Sequence, residues 1–190
     1  MKKLSQIPLL PGFSFKQKLS FGGKISSSKG NPKSKRPLAT KQAIHLVLKS
    51  SRAQGKHSFL LFSKEIEAIL RKQALKFGVK IYDFANAGNH LHLVIRIHSR
   101  ETYKSFIRAI SGLLMRKVFG VEKGRGAATA LWDARPFTRI LSWGKDFSGV
   151  KNYLRINRLE MTGLKREEAR AVLKKSGLNL RLFPIGFNLA

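Results

Sequence analysis

Residues 89–97 read Asn-His-Leu-His-Leu-Val-Ile-Arg-Ile. In a strand, side chains at i and i+2 leave the same face, so Leu91, Leu93, Ile95 and Ile97 form one row and His90, His92, Val94 and Arg96 the other. The aliphatic row needs a covering layer, which makes this a strand of a sheet packed on at least one side. The opposite row carries two imidazoles roughly 7 Å apart at the backbone, a spacing from which both rings can clamp one metal ion at the margin of a packed sheet.

The flanking sequence supplies that sheet and its cover. Ala43 to Leu48 is a short apolar run rich in strand formers. Ser63 is placed to cap a helix whose Ile66, Ile69, Leu70, Ala74 and Phe77 recur at helical spacing up to Gly78. Val79 to Ala85 reads as a strand, and Asn86-Ala87-Gly88-Asn89 as the turn that joins it to the histidine strand in a hairpin. A helix follows over Glu101 to Val118, then a basic loop, Gly120 to Ala127. Leu131 to Leu141 is expected to be a further strand, with Pro136 marking an edge or bulge, and Lys145 to Glu160 a helix. The order β-α-β-β-α-β plus one helix predicts an α+β fold, a ferredoxin-like antiparallel sheet with an added C-terminal helix. Three regions are expected: a flexible basic arm over 1–37, a domain over 38–163, and a charged helix with an apolar tail over 164–190.

The charge narrows the partner. Thirty-eight Lys and Arg against 10 Asp and Glu give a formal net charge of +28, far beyond what solubility needs, and point to a polyanion, nucleic acid first. No apolar run is long enough to span a bilayer, so a membrane partner is not expected. The absence of cysteine excludes disulfides, thiolate metal sites and cysteine nucleophiles. Pro8 and Pro11 break the only apolar stretch behind the basic start, which argues against a signal peptide. The expected location is cytoplasmic and nucleoid-associated.

The late helix offers partners for the histidines. Tyr153 and Asn157 stand at i and i+4 and so share a helix face. A phenol, an amide oxygen and two imidazoles meeting at one point suit phosphodiester cleavage by a protein nucleophile. A phenol with a pKa near 10 attacks poorly at neutral pH unless a cation or base lowers the cost of its anion, and a metal ion also polarises the phosphate. Ligand softness alone favours zinc or manganese for paired imidazoles. Tyr82 and Tyr103 lie on packing faces and read as core, as does Trp132, and His45, in the first strand and able to approach the site, reads as a satisfied strand histidine. Trp143, beside Arg135, Arg139 and Lys145, suits base stacking as well as it suits packing.

Asn89-His90-Leu91-His92-Leu93-Val94 and Tyr153-Leu154-Arg155-Ile156-Asn157 together resemble the motifs of the single-tyrosine HUH transposases, the IS200-like and REP-associated tyrosine transposases. Leu131-Trp132 through Leu141, and Arg36-Pro37 through Leu48, are weaker echoes of that family's strands, so the resemblance spans about Arg36 to Gly163. It implies a metal-dependent endonuclease and strand transferase that attacks single-stranded DNA beside a hairpin and forms a 5′-phosphotyrosine link. Carried over, Tyr153 is the catalytic nucleophile, His90, His92 and Asn157 are the metal ligands, and the ion is Mg2+ or Mn2+. The family includes homodimers that exchange their tyrosine helices and proteins that act alone. Arg158 follows Asn157 where many relatives have proline, and Ala87-Gly88 stands where relatives often have Met-Pro.

The cations expected to meet single-stranded or hairpin DNA are Lys33, Lys35 and Arg36 of the arm, Arg96, Arg125 of the loop, Arg135, Arg139, Lys145, Arg155 and Arg158. Two other readings fit the same charge: a basic nucleic-acid-binding protein without catalysis, and a domesticated transposase relative that processes genomic hairpins.

Overall fold

The computed structural model describes residues 21–22, 37–121 and 131–176. Lys33, Lys35, Arg36, Arg125 and the apolar tail fall outside these residues. Among the described residues five antiparallel strands form one sheet: β1 (Phe21–Gly22), β2 (Ala43–Lys49), β3 (Lys80–Asn86), β4 (His90–Arg96) and β5 (Phe137–Leu141), in the order β1-β5-β2-β4-β3. Helix α1 (Ser63–Lys76) joins β2 to β3, and α2 (Arg100–Phe119) joins β4 to β5. The four longer strands and these two helices are the β-α-β-β-α-β arrangement that the sequence pattern predicts, and α3 (Lys145–Glu160) and α4 (Arg166–Lys175) follow it.

The sheet has two covered faces. Leu46, Leu48, Leu91, Leu93, Ile95 and Ile97 pack beneath α1 and α2 against Phe59, Phe106, Ile110 and Leu114, and this is the main core. Val94 and Ala43 face the other way, where Ala85, Leu141, Val150 and Leu154 complete a smaller core under α3. The alternation in β4 thus separates the helix pair from the histidine row, as a two-residue period requires. In β3 an irregularity between Ile81 and Asp83 resets that period, so Ile81 and Phe84 join the main core while Tyr82 and Ala85 face α3.

Local chemistry fixes the connections. Gly88 takes φ 85° in the hairpin turn, and its N–H donates to Asn86 Oδ1 at 3.1 Å. Ser99 and Thr102 close a capping box at the start of α2, and Gly120 ends that helix in the left-handed conformation.

Two boundaries differ from expectation. The strand expected over Leu131 to Leu141 is confined to Phe137–Leu141. Pro136 lacks the N–H for a ladder, and the Asp133 carboxylate turns back to accept from Ser51 N–H at 2.7 and 2.9 Å. Leu131 and Trp132 pack on the main core instead, with Trp132 Nε1–H donating to Ser111 Oγ at 2.7 Å. Ser63 does not cap α1 but is its first residue, behind Phe62. Its hydroxyl accepts from Asn86 Nδ2 at 2.9 Å, tying the helix to the hairpin.

Candidate functional site

The histidine row of β4 lies under α3. His92 is buried, 1% exposed, and His90 half-buried, with ring centroids 4.8 Å apart. Register explains a third imidazole. Val47 of β2 pairs with His92 and His45 pairs with Val94, which makes His45 the diagonal neighbour of His92 on the same face. Their rings lie 22° from coplanar with centroids 5.4 Å apart, and His45 Nε2 is 3.2 Å from His92 Nδ1. His90 Nδ1 is 2.7 Å from Asn89 Oδ1. His92 Nε2 is buried and has no hydrogen-bond partner among the described residues.

Helix α3 brings Tyr153 to this row within one chain. Val150, Leu154 and Asn157 are buried on the helix face that rests on β3 and β4, and Tyr153 packs at the margin of that core. The Tyr153 ring stands edge-on to His92, centroids 5.4 Å apart at 84°, and to His45, 6.4 Å apart at 70°. Arg166 of α4 places its guanidinium 5.7 Å from the centre of the Tyr153 ring, and Glu160 holds Arg166 at 3.1 Å. Asn157 lies one turn beyond Tyr153 and is 5% exposed. The strand carrying His90 and His92 and the helix carrying Tyr153 and Asn157 therefore meet.

Burial keeps these imidazoles neutral. Desolvation, followed by the nearby Arg139 charge, holds His45 down at about 3. His92 is held well below its ordinary range, by burial first and then by His45 and His90. His90 is lowered by burial and by Lys49. Neutral imidazole is the form that binds metal ions. It also sets a pH dependence.

The native pKa lies below the unfolded value of 6.5, so the unfolded chain takes up protons that the native state refuses. Stability is fully present above about pH 6.5 and falls as the pH drops, by about 1.4 kcal/mol per pH unit for each such proton. Glu65 and Glu101, whose pKa values lie below 4.5, act only at lower pH. Urea unfolding in chelator is expected to give a constant midpoint above about pH 7 and a falling one between pH 6.5 and 5. A midpoint flat across that window would contradict the neutral buried pair.

The basic candidates have diverse roles. Arg139 pairs with Asp146 at 2.5 Å, and Arg158 pairs with Asp83 at 2.5 Å, so each guanidinium braces α3 against the sheet. Arg155 donates to Asn152 Oδ1 at 3.2 Å. Arg96 is half-buried at the end of the histidine row, while Arg135 and Lys145 are exposed. Near the start of α3, Tyr82, Trp143 and Phe147 form an aromatic cluster with centroids 5.1–5.8 Å apart. Lys80 lies over Tyr82 at 5.0 Å and Lys151 over Phe147 at 5.6 Å, and Trp143 is 48% exposed. Sequence reading did not single out Arg166, one of several charges on α4 with no distinguishing local signal.

The sequence profile of the IS200-like transposases matches residues 39–156, more than half of the chain and the whole span from β2 to Ile156 in α3. The chain belongs to the IS200-like transposase family. No curated protein matches it. Among solved structures, this transposase is similar to a REP-associated tyrosine transposase bound to a REP hairpin, with a TM-score of 0.53 at 11% identity. The match covers 83% of this chain and 98% of that one, and so extends the likeness of fold to nearly the whole of the relative. No helix among the described residues of the transposase is long and apolar enough to cross a membrane.

Proposed function

We propose that this transposase is a metal-dependent endonuclease and strand transferase for single-stranded DNA beside hairpins, with Tyr153 as its nucleophile. The observation that carries the reading is the 5.4 Å contact between the Tyr153 ring and buried His92, whose Nε2 has no hydrogen-bond partner among the described residues. The REP-associated transposase of similar fold, described as bound to a REP hairpin, supports hairpin DNA as the partner.

The Tyr153 oxygen attacks phosphorus as the bond from phosphorus to the 3′ oxygen breaks. The products are a 5′-phosphotyrosine and a free 3′-hydroxyl, and the phenol proton leaves as the departing oxygen gains one. Arg166, beside the ring, offsets charge that grows on the phenol oxygen. Helix α3, pinned at Asp83 and Asp146, holds Tyr153 against the histidine row, which supports its role as nucleophile.

His90, His92 and Asn157 are the residues that would hold Mg2+ or Mn2+. Two neutral imidazoles and a neutral amide leave positions open for phosphate oxygens, and the unpartnered buried His92 Nε2 fits a ligand role. When bound, the ion supplies charge neutralisation and alignment of the phosphate.

The test incubates the protein with labelled hairpin-bearing single-stranded DNA and Mn2+ and looks for an adduct that survives denaturation. The expected result is an adduct whose peptide map places the nucleotide on Tyr153. An adduct on another residue, or none on any hairpin substrate, overturns the reading.

The exposed Trp143 ring, in a cluster whose Tyr82 and Phe147 rings carry Lys80 and Lys151, suits stacking of an unpaired base. Trp143→Ala is expected to weaken binding of single-stranded DNA by about 1–3 kcal/mol, roughly 5- to 150-fold, with Trp143→Phe retaining most of the affinity. Anisotropy of a labelled oligonucleotide at fixed salt measures this, and equal affinities for all three proteins would remove Trp143 from the interface.

A further inference from the structure

We infer that His45 is a positioning residue, an outer partner that fixes the ring of His92 so that its Nε2 presents a lone pair to the metal ion. The inference rests on the metal-site reading above and goes one step deeper. In the sequence His45 reads as a satisfied strand histidine able to approach the site, and it lies 47 residues from His92.

A neutral imidazole carries one N–H and one lone pair. The 3.2 Å contact between His45 Nε2 and His92 Nδ1 therefore has two proton arrangements. If His45 donates, the proton of His92 sits on Nε2, which is buried without an acceptor and closed to a cation. If His92 donates, Nε2 carries the lone pair that a metal ligand needs.

The neighbouring ring supplies a precedent for the second. His90 Nδ1 lies 2.7 Å from Asn89 Oδ1, and an amide oxygen only accepts, so His90 donates through Nδ1 and keeps its lone pair on Nε2. His45 stands to His92 as Asn89 stands to His90. Each ligand ring is held at Nδ1 by an acceptor, and both keep the same atom, Nε2, for the ion. Such outer hydrogen bonds set the tautomer and orientation of a metal-bound histidine and raise its basicity.

Geometry gives His45 this place without a dedicated motif. It faces Arg139 across β5 on one side and Val94 across β4 on the other, so the sheet register alone delivers its ring to the diagonal neighbour. Its 6.4 Å edge contact with Tyr153 limits movement away from His92.

Two measurements test this. In the metal-free protein, nitrogen NMR of the imidazole rings is expected to show His92 protonated at Nδ1 and bare at Nε2. The reverse assignment overturns the inference. Calorimetric titration with Mn2+ then compares the parent with His45→Leu and His45→Gln, each first checked for a native circular dichroism spectrum and melting transition.

Loss of the acceptor in the Leu variant is expected to weaken Mn2+ binding about 10- to 100-fold. The Gln variant offers an amide oxygen near the position of the lost Nε2 and is expected to recover most of that affinity. Equal binding by parent and Leu variant removes the role of His45 and leaves the metal site standing. A parent protein that binds no Mn2+ overturns the metal-site reading itself.

Discussion

Tyr153→Phe is expected to fold and to bind hairpin-bearing single-stranded DNA like the parent, to form no covalent adduct, and to cleave on the order of 10⁴-fold more slowly or worse. The size follows from chemistry. Phenylalanine keeps the ring but has no atom that can join phosphorus, and none of the neighbouring groups can take its place. His45 and His92 are engaged with each other at 3.2 Å, and Tyr82 belongs to the aromatic cluster at the start of α3.

The fold is expected to tolerate the change because the ring makes the packing contacts. Those are the edge contacts with His92 and His45 and the guanidinium of Arg166, all retained by a phenyl group. The check pairs a denaturing gel with a binding isotherm and a melting curve. Wild-type cleavage by the Phe variant would remove Tyr153 as nucleophile. Loss of binding together with loss of the melting transition would instead mean that the hydroxyl supports the fold, contrary to the contacts described.

The parts of this molecule that a sequence displays are those fixed by local period. The alternation of residues 90–97 predicts which side chains of β4 face the main core, and helical spacing predicts α3 over Lys145–Glu160, the range it occupies. The parts that a sequence hides depend on side chains reaching across the chain. The expected strand from Leu131 loses its first half because Asp133 bonds to Ser51, 82 residues away, and because Trp132 finds Ser111 on α2. Neither contact leaves a mark in a local window.

The site divides in the same way. His90, His92, Tyr153 and Asn157 announce themselves by spacing within one strand and one helix. His45 and Arg166 do not, since each acquires meaning only through register or helix packing. Arg158 was legible as a cation but not in its use. It bonds to Asp83 and to the Phe84 carbonyl, and so works as a brace between α3 and β3.

Leu154→Ala is expected to remove about 2–5 kcal/mol of stability and to do so unevenly, loosening α3 before the sheet. Leu154 is fully buried in the smaller core, whose other members are Ala43, Ala85, Val94, Leu141 and Val150. Two alanines contribute little area, so a large share of the apolar contact between α3 and the sheet comes from this one side chain. What remains after truncation is Val150, the flanking rings of Phe147 and Tyr153, and two ion pairs, Asp83 with Arg158 and Asp146 with Arg139. Partly exposed pairs of this kind contribute about 1 kcal/mol or less each, too little to offset the cavity.

Leu46→Ala makes the matching truncation in the main core, where α1, α2 and three strands share the load. Its cost in urea is expected to be of similar size. Hydrogen exchange separates the two variants. In Leu154→Ala the amides of α3 exchange faster while those of β2 and β4 stay protected, whereas in Leu46→Ala helix and sheet lose protection together. Function then follows position. A shift of about 1 Å in a reacting group costs on the order of 10²-fold, so the Leu154 variant is expected to lose adduct formation at temperatures where the Leu46 variant still forms it. Equal exchange of α3 in both variants would mean that the helix is held by something other than this small core.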